Sequence, residues 1–251
     1  YALLVLGTSI GWSAFSQIGT FDLPLTVSLT VALLILVPWA KKSDISTRRI
    51  LPWFGTFLGI SVLAKGLVGP AIAAATLLSV CLDRGFVSVI RDLAKPRVWL
   101  PFVAIVTPWY LQCYAENGAP FLEDFFWKHH FQRLTENSLG HVQPIWFFVP
   151  VLAIGFLPWT PLLFVRSTLS FRADTRIRFL FVWCISTFLL FSLSTNKLPG
   201  YVLPMFPPMA ILAGLQLGGP RPKLMAFTIA ASSLILFPVA EAVLPRALSH
   251  G

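Results

Sequence analysis

The sequence predicts an all-α, polytopic membrane helix bundle. Of its 251 residues 56% are hydrophobic and only 12% charged, and its mean hydropathy is +0.77. Its basic residues gather in short stretches between long apolar runs. Soluble domains carry about a quarter charged residues, so this composition belongs to a chain whose solvent is largely lipid.

The net charge of +9 would point to nucleic acid in a soluble protein. Here the cations flank apolar runs, where they act as topology signals, and no nucleic-acid partner is inferred. Cys81, Cys113 and Cys184 lie within or at the end of apolar runs without CxxC spacing, which argues for packing roles and against a disulfide framework or zinc cluster. The chain opens at Tyr1 inside an apolar run with no basic leader, and it reads as part of a longer protein.

A spanning helix needs about 20 apolar residues, fewer where one end stays inside the bundle. About nine segments meet that requirement: 1–11, 23–40, 52–64, 66–82, 98–114, 145–164, 179–195, 198–217 and 224–242. Asp22 with Pro24 opens the second, and Pro52, Pro144 and Pro199 open others in the same way. The whole of 1–251 then forms one transmembrane domain, with 115–144 as a long loop at its outer face.

Orientation follows from the cations. Fourteen of the nineteen Lys and Arg fall in the loops after segments 2, 4, 6 and 8. The positive-inside rule puts those loops in the cytoplasm and residues 12–22 and 115–144 outside. Runs 52–82 and 179–217 must then each enter and return as a hairpin, with Lys65 and Lys197 at the turns. A 13-residue arm before Lys65 would be about 20 Å long, against a hydrocarbon core of about 30 Å, so Lys65 is expected below the outer surface in a cavity.

Five basic residues remain on the outer side: Lys65, Lys128, Arg133, Lys197 and Arg246. Placing a cation at the membrane centre costs about 2.5–3.5 kcal/mol, and less near the interface. Two readings stand. The lysines snorkel to the headgroups, or an anionic partner such as a lipid-linked phosphate offsets the cost, meeting Arg forks and Lys point charges while its tail stays in lipid.

In the outer loop, Phe121, Phe125, His129 and Arg133 recur every four residues, and Leu122, Phe126 and His130 form the adjoining stripe. This predicts an interfacial helix with His130 and Arg133 turned toward the bundle; a plain aromatic belt with filler histidines is the other reading. Adjacent histidines on a regular helix cannot both reach one metal, so a divalent metal stays possible but is not specified. Trp12, Tyr110, Trp146, Trp159 and Tyr201 lie near segment ends, where anchoring aromatics are expected. Tyr201, close after Lys197, is also a candidate for substrate binding. No Ser-His-Asp order, phosphate loop or HExxH is present.

Six short texts occur in order: 17–25 (QIGTFDLPL), 63–70 (LAKGLVGP), 107–110 (TPWY), 128–133 (KHHFQR), 155–160 (GFLPWT) and 191–204 (FSLSTNKLPGYVLP). Together they resemble the aminoarabinose (4-amino-4-deoxy-L-arabinose) transferase branch of the lipid-linked-sugar glycosyltransferases, relatives of the protein mannosyltransferases. The resemblance implies a GT-C type fold in a bacterial inner membrane. It also implies transfer of a sugar from a polyprenyl-phosphate donor to a lipid or glycan acceptor, such as lipid A, at the periplasmic face. The family's donor-phosphate residues match Lys65, Arg133 and Tyr201, with Lys197 in the same motif as Tyr201 and His129 and His130 beside Arg133. Its leading acidic residues, one of them a candidate base, precede the part matched by this chain, so the catalytic residue is expected before Tyr1 and this stretch alone is expected to be inactive. Ala64, Leu67, Lys128 and His129 depart from the family's usual residues. From the residues alone, a transporter or flippase of an anionic or lipid-linked substrate is the alternative, though the inverted repeat it calls for is not evident.

Overall fold

The computed structural model describes residues 1–40, 47–122, 143–163 and 174–218. They form helices α1 (Ala2–Thr8), α2 (Ile10–Gln17), α3 (Asp22–Ala40), α4 (Thr47–Lys65), α5 (Val68–Arg84), α6 (Phe86–Leu93), α7 (Pro96–Asn117), α8 (Ala119–Leu122), α9 (Phe148–Gly155), α10 (Thr175–Ser192) and α11 (Phe206–Leu217). Short 3-10 helices cover Thr160–Leu163 and Pro199–Met205. No strand occurs among the described residues. Four stretches there are long and apolar enough to cross a membrane: α3, α7, α10 and the continuous Pro199–Leu217.

Helix α3 is the central post. Leu25, Leu29, Ala32, Leu33 and Leu36 repeat at three- and four-residue intervals and are buried. It packs on α4, α5 and the 199–205 turn, while α4 packs in turn on α7. The α4–α7 crossing rests on Gly55 and Gly59, four residues apart. A Cβ on Gly55 would fall on the Val98 carbonyl, and one on Gly59 would come 3.3 Å from the Phe102 carbonyl. Helices in lipid associate through this kind of backbone approach, because lipid tails supply no hydrophobic drive. Trp99, Leu100, Val103 and Leu111 of α7 are exposed on the molecule's outside, as a lipid-facing helix requires.

Three sequence expectations change. The first segment is not one helix: Ser9 is extended, and the Ile10 amide donates to the Leu157 carbonyl at 3.0 Å. The chain then resumes as α2, inside what was read as an outer loop. The run 145–164 is likewise interrupted, since Pro158 and Pro161 carry no amide proton and cannot extend α9. The two interruptions lock together, with Trp159 Nε1 donating to Thr8 Oγ1 at 2.8 Å. Trp159 is therefore buried in the bundle and is not an interfacial anchor. The third change concerns α4, which begins at Thr47 and not at Pro52, so the helix that ends at Lys65 has 19 residues and is about 28 Å long. The short-arm argument for the depth of Lys65 therefore fails, and its environment has to be read from its neighbours. Segment 224–242 lies outside the described residues.

Charge sits at both ends of the bundle. At the end where α3 finishes and α7 begins, Asp92 accepts from Arg84 Nη2 at 2.8 Å, Lys95 Nζ at 2.5 Å and Trp39 Nε1 at 3.2 Å. The Arg84 guanidinium also lies 4.4 Å from the centroid of the Trp39 ring, and Arg178 pairs with Asp83 at the same end. These basic residues belong to the loops assigned to one side by charge counting. Burial pushes the Asp92 carboxyl up, but bonds from Lys95, Trp39 and Arg84 outweigh it, and its pKa lies below the ordinary carboxylate value.

Gly55→Ala is expected to lower the thermal midpoint measurably, as overpacking by about 1–3 kcal/mol would. Gly7→Ala, where a Cβ meets nothing within 4 Å, should leave it unchanged. A lowered folded pKa means that Asp92 stabilises the fold fully above its unfolded value and loses that contribution as pH falls through the folded one. Thermal melts of wild type and Asp92→Asn should therefore converge as pH drops from about 5 toward about 2.

Candidate functional site

Opposite the Asp92 cluster, three chain segments meet around one ammonium. Lys65 is the last residue of α4, and Gly66, at φ 65°, ends that helix: its amide donates to the Val62 carbonyl at 2.7 Å. Only glycine takes this conformation freely. The turn lets α5 start at Val68 and leaves the Lys65 side chain at the helix end. Asp22 is the first residue of α3, 8% exposed, and it accepts a hydrogen bond from Lys65 Nζ. The carboxylate thus caps the positive end of one helix dipole and the ammonium the negative end of another, so both charges are favoured where they stand.

The third segment carries Tyr201. Pro199 and Pro204, followed by Pro207 and Pro208, break regular α-helical bonding and impose the 3-10 turn Pro199–Met205. The turn brings the Tyr201 ring to 4.1 Å from Lys65 Nζ, a cation–π contact. Phe191 supports the ring with centroids 5.2 Å apart. Gly200 is required here because a Cβ would stand 2.8 Å from Asp22 Oδ2.

These residues line a cavity of about 670 Å³. Its polar part includes Thr20, Asp22, Lys65, Ser194, Asn196 and Tyr201, and its apolar walls include Leu63, Leu67, Trp109 and Phe191. A second hollow of about 450 Å³, almost wholly apolar, shares Val62, Leu67 and Tyr110 with the first. Tyr110, expected as a belt anchor, therefore stands between the two. A charged niche opening onto an apolar trough suits an amphiphile with an anionic head, and the ammonium is the group that would meet the head.

Lys65 and Tyr201 of the predicted set are brought together. Lys197 is not: it is 5% exposed, and its ammonium donates to the Ser194 carbonyl at 2.5 Å and the Gln143 carbonyl at 2.9 Å. Burial pulls its pKa below the ordinary lysine value. His129, His130 and Arg133 lie outside the described residues, as does the predicted helix beyond Leu122. No group of His, Cys, Asp and Glu able to hold a metal occurs among the described residues. Sequence reasoning missed Asp22, which it took only as a helix-start signal. It is the one acidic residue before position 115 that lies outside the basic loops, and that isolation was the available clue.

Comparison with known proteins places this geometry. No protein-family model matches the chain. The undecaprenyl phosphate-alpha-4-amino-4-deoxy-L-arabinose arabinosyl transferase of Pectobacterium carotovorum is 31% identical over 213 residues, covering 82% of this chain and 38% of the relative. The corresponding transferase 2 of Proteus mirabilis is 30% identical over 204 residues, covering 78% and 36%. The crystal structure of ArnT from Cupriavidus metallidurans bound to undecaprenyl phosphate superposes with a TM-score of 0.83 at 26% identity, covering 97% of this chain and 45% of that one. Its apo form gives 0.80. The resemblance drawn from the six motifs therefore holds over most of the chain. The chain spans less than half the length of the curated relatives it matches.

Asp22→Asn is expected to destabilise the purified protein by about 2 kcal/mol, because it leaves Lys65 without its charge partner in a half-buried niche. The double variant Asp22→Asn/Lys65→Met should recover part of that loss in thermal melts.

Proposed function

We propose that this chain is the membrane-embedded part of a glycosyltransferase that takes a sugar from a polyprenyl-phosphate donor and passes it to a lipid or glycan acceptor such as lipid A. The observation that carries this reading is the Lys65 ammonium, held by Asp22 and covered by Tyr201, at the polar end of a cavity that continues as an apolar trough. A relative of the same fold is crystallised with undecaprenyl phosphate, a ligand with the anionic head and long apolar tail that such a cavity fits.

In this reading Lys65 meets the donor phosphate, sharing its donors between the phosphate and Asp22. Tyr201 shapes the niche and keeps it partly desolvated, which strengthens the attraction. Arg133, with His129 and His130 beside it, completes the phosphate site from the outer loop. As the phosphate departs from the sugar its charge rises, and fixed cations stabilise that charge without reorganising. The chain crosses a bacterial inner membrane about nine times as one transmembrane domain. The Lys65 end faces the periplasm with loop 115–144, and the Asp92 end faces the cytoplasm, in keeping with the distribution of cations.

The test uses the full-length protein in proteoliposomes with the lipid-linked sugar donor. Lys65→Ala and Arg133→Ala are each expected to lower kcat/KM about 100-fold, and Tyr201→Phe, which keeps the ring, by less than about tenfold. Unchanged transfer and unchanged donor binding in both cation variants would overturn the proposal.

A further inference from the structure

Lys197 sits in the motif beside Tyr201, yet its ammonium is spent on main chain. Its two acceptors come from segments far apart in sequence. Ser194 lies just beyond the end of α10, in the stretch whose Ser194 and Asn196 line the cavity. Gln143 lies near the end of the outer loop 115–144 and opens the described stretch 143–163. From there the chain runs through a turn in which the Phe147 amide donates to the Pro144 carbonyl at 3.0 Å, and then enters α9. Phe148 of α9 is buried against Phe191, with centroids 6.5 Å apart, and Phe191 is the ring under Tyr201.

A lone ammonium buried to this degree needs compensation. The end of α10 provides it, because the last carbonyls of a helix carry its negative pole and Ser194 directly follows them. Two charge-assisted bonds to carbonyls satisfy most of what a lysine can donate. Lys197 does not line the cavity. Its charge thus serves the chain, fastening the return of the outer loop to the segment that presents Tyr201.

We propose that Lys197 is a positioning residue: its ammonium latches Gln143 to the turn bearing Ser194, Asn196 and Tyr201, and so holds that polar wall of the cavity, with the Tyr201 ring, in place beside Lys65. The inference rests on the functional reading above for what the site binds, but not for the latch itself. A site held together in advance binds more tightly than one that must first assemble, whereas a bound ligand can restore the assembled form. Losing the latch should therefore weaken donor affinity more than turnover at saturating donor.

Full-length wild type, Lys197→Met and Lys197→Arg are compared in detergent. Hydrogen exchange of peptides spanning 143–149 and 193–198 is followed without donor, together with affinity for undecaprenyl phosphate and turnover. In Lys197→Met, exchange in both peptides should rise about tenfold or more, with no rise in α3 or α5. Affinity should fall by a similar factor, turnover should fall less, and Lys197→Arg should restore most of both. Unchanged exchange in 143–149, or a rise spread evenly over the protein, would overturn the latch. So would looser peptides with unaltered affinity, and so would weakened affinity with unaltered exchange, which would make Lys197 a direct phosphate ligand. If wild type itself fails to bind undecaprenyl phosphate, the functional reading falls while the exchange data still decide whether the latch exists.

Discussion

The arrangement depends on one ion pair, Lys65 with Asp22. Each partner stands at the helix end where the macrodipole favours its charge, so the pair is favoured where it forms. The pair fixes the end of α4 against the start of α3. Gly200 then allows the 199–205 turn to approach Asp22, and the same turn lays Tyr201 over the ammonium. Removing any one of these leaves the others in unfavourable surroundings: a buried carboxylate without a cation, or an ammonium without its carboxylate or its ring.

The far end of the bundle is built on the same principle with a different allotment of charge. There one carboxylate, Asp92, serves two cations and an indole, and the surplus is positive. At the Lys65 end Lys65 pairs with Asp22, Lys197 is satisfied by main chain, and Glu116 accepts from Gln112. The basic end is thus furnished for contact with headgroups and water, and the other end for holding a few charges at fixed positions. This contrast is what charge counting along the sequence detected.

Most of the framework was legible because lipid allows few solutions. Long apolar runs must be helices, and the loops between them carry their orientation in Lys and Arg. The start of α3 at Asp22 was readable as a cap followed by Pro24, and the hairpin at Lys65 from the basic loops on either side of 52–82. The breaks were not. Ser9 in an apolar run gives no sign that the Ile10 amide will find the Leu157 carbonyl 147 residues later, and the 145–164 run looks continuous until its prolines are placed. Gly55 and Gly59 passed unremarked because small residues in an apolar segment reveal a partner only once α7 is beside them. In the site, Lys65 and Tyr201 stood out by their surroundings in the sequence, whereas the partnership of Asp22 with Lys65 spans 43 positions, and the inward turn of Lys197 depends on a carbonyl from another segment.

The walls of the main cavity include Leu63, Leu67 and Trp109, all of them exposed. In the proposed membrane orientation such walls would border the acyl chains, and a tailed ligand could reach the hollow sideways without crossing water. For such a ligand the governing concentration is its mole fraction among the lipids. Diluting the aqueous phase leaves occupancy unchanged, whereas adding detergent or inert lipid thins the ligand out and lowers it.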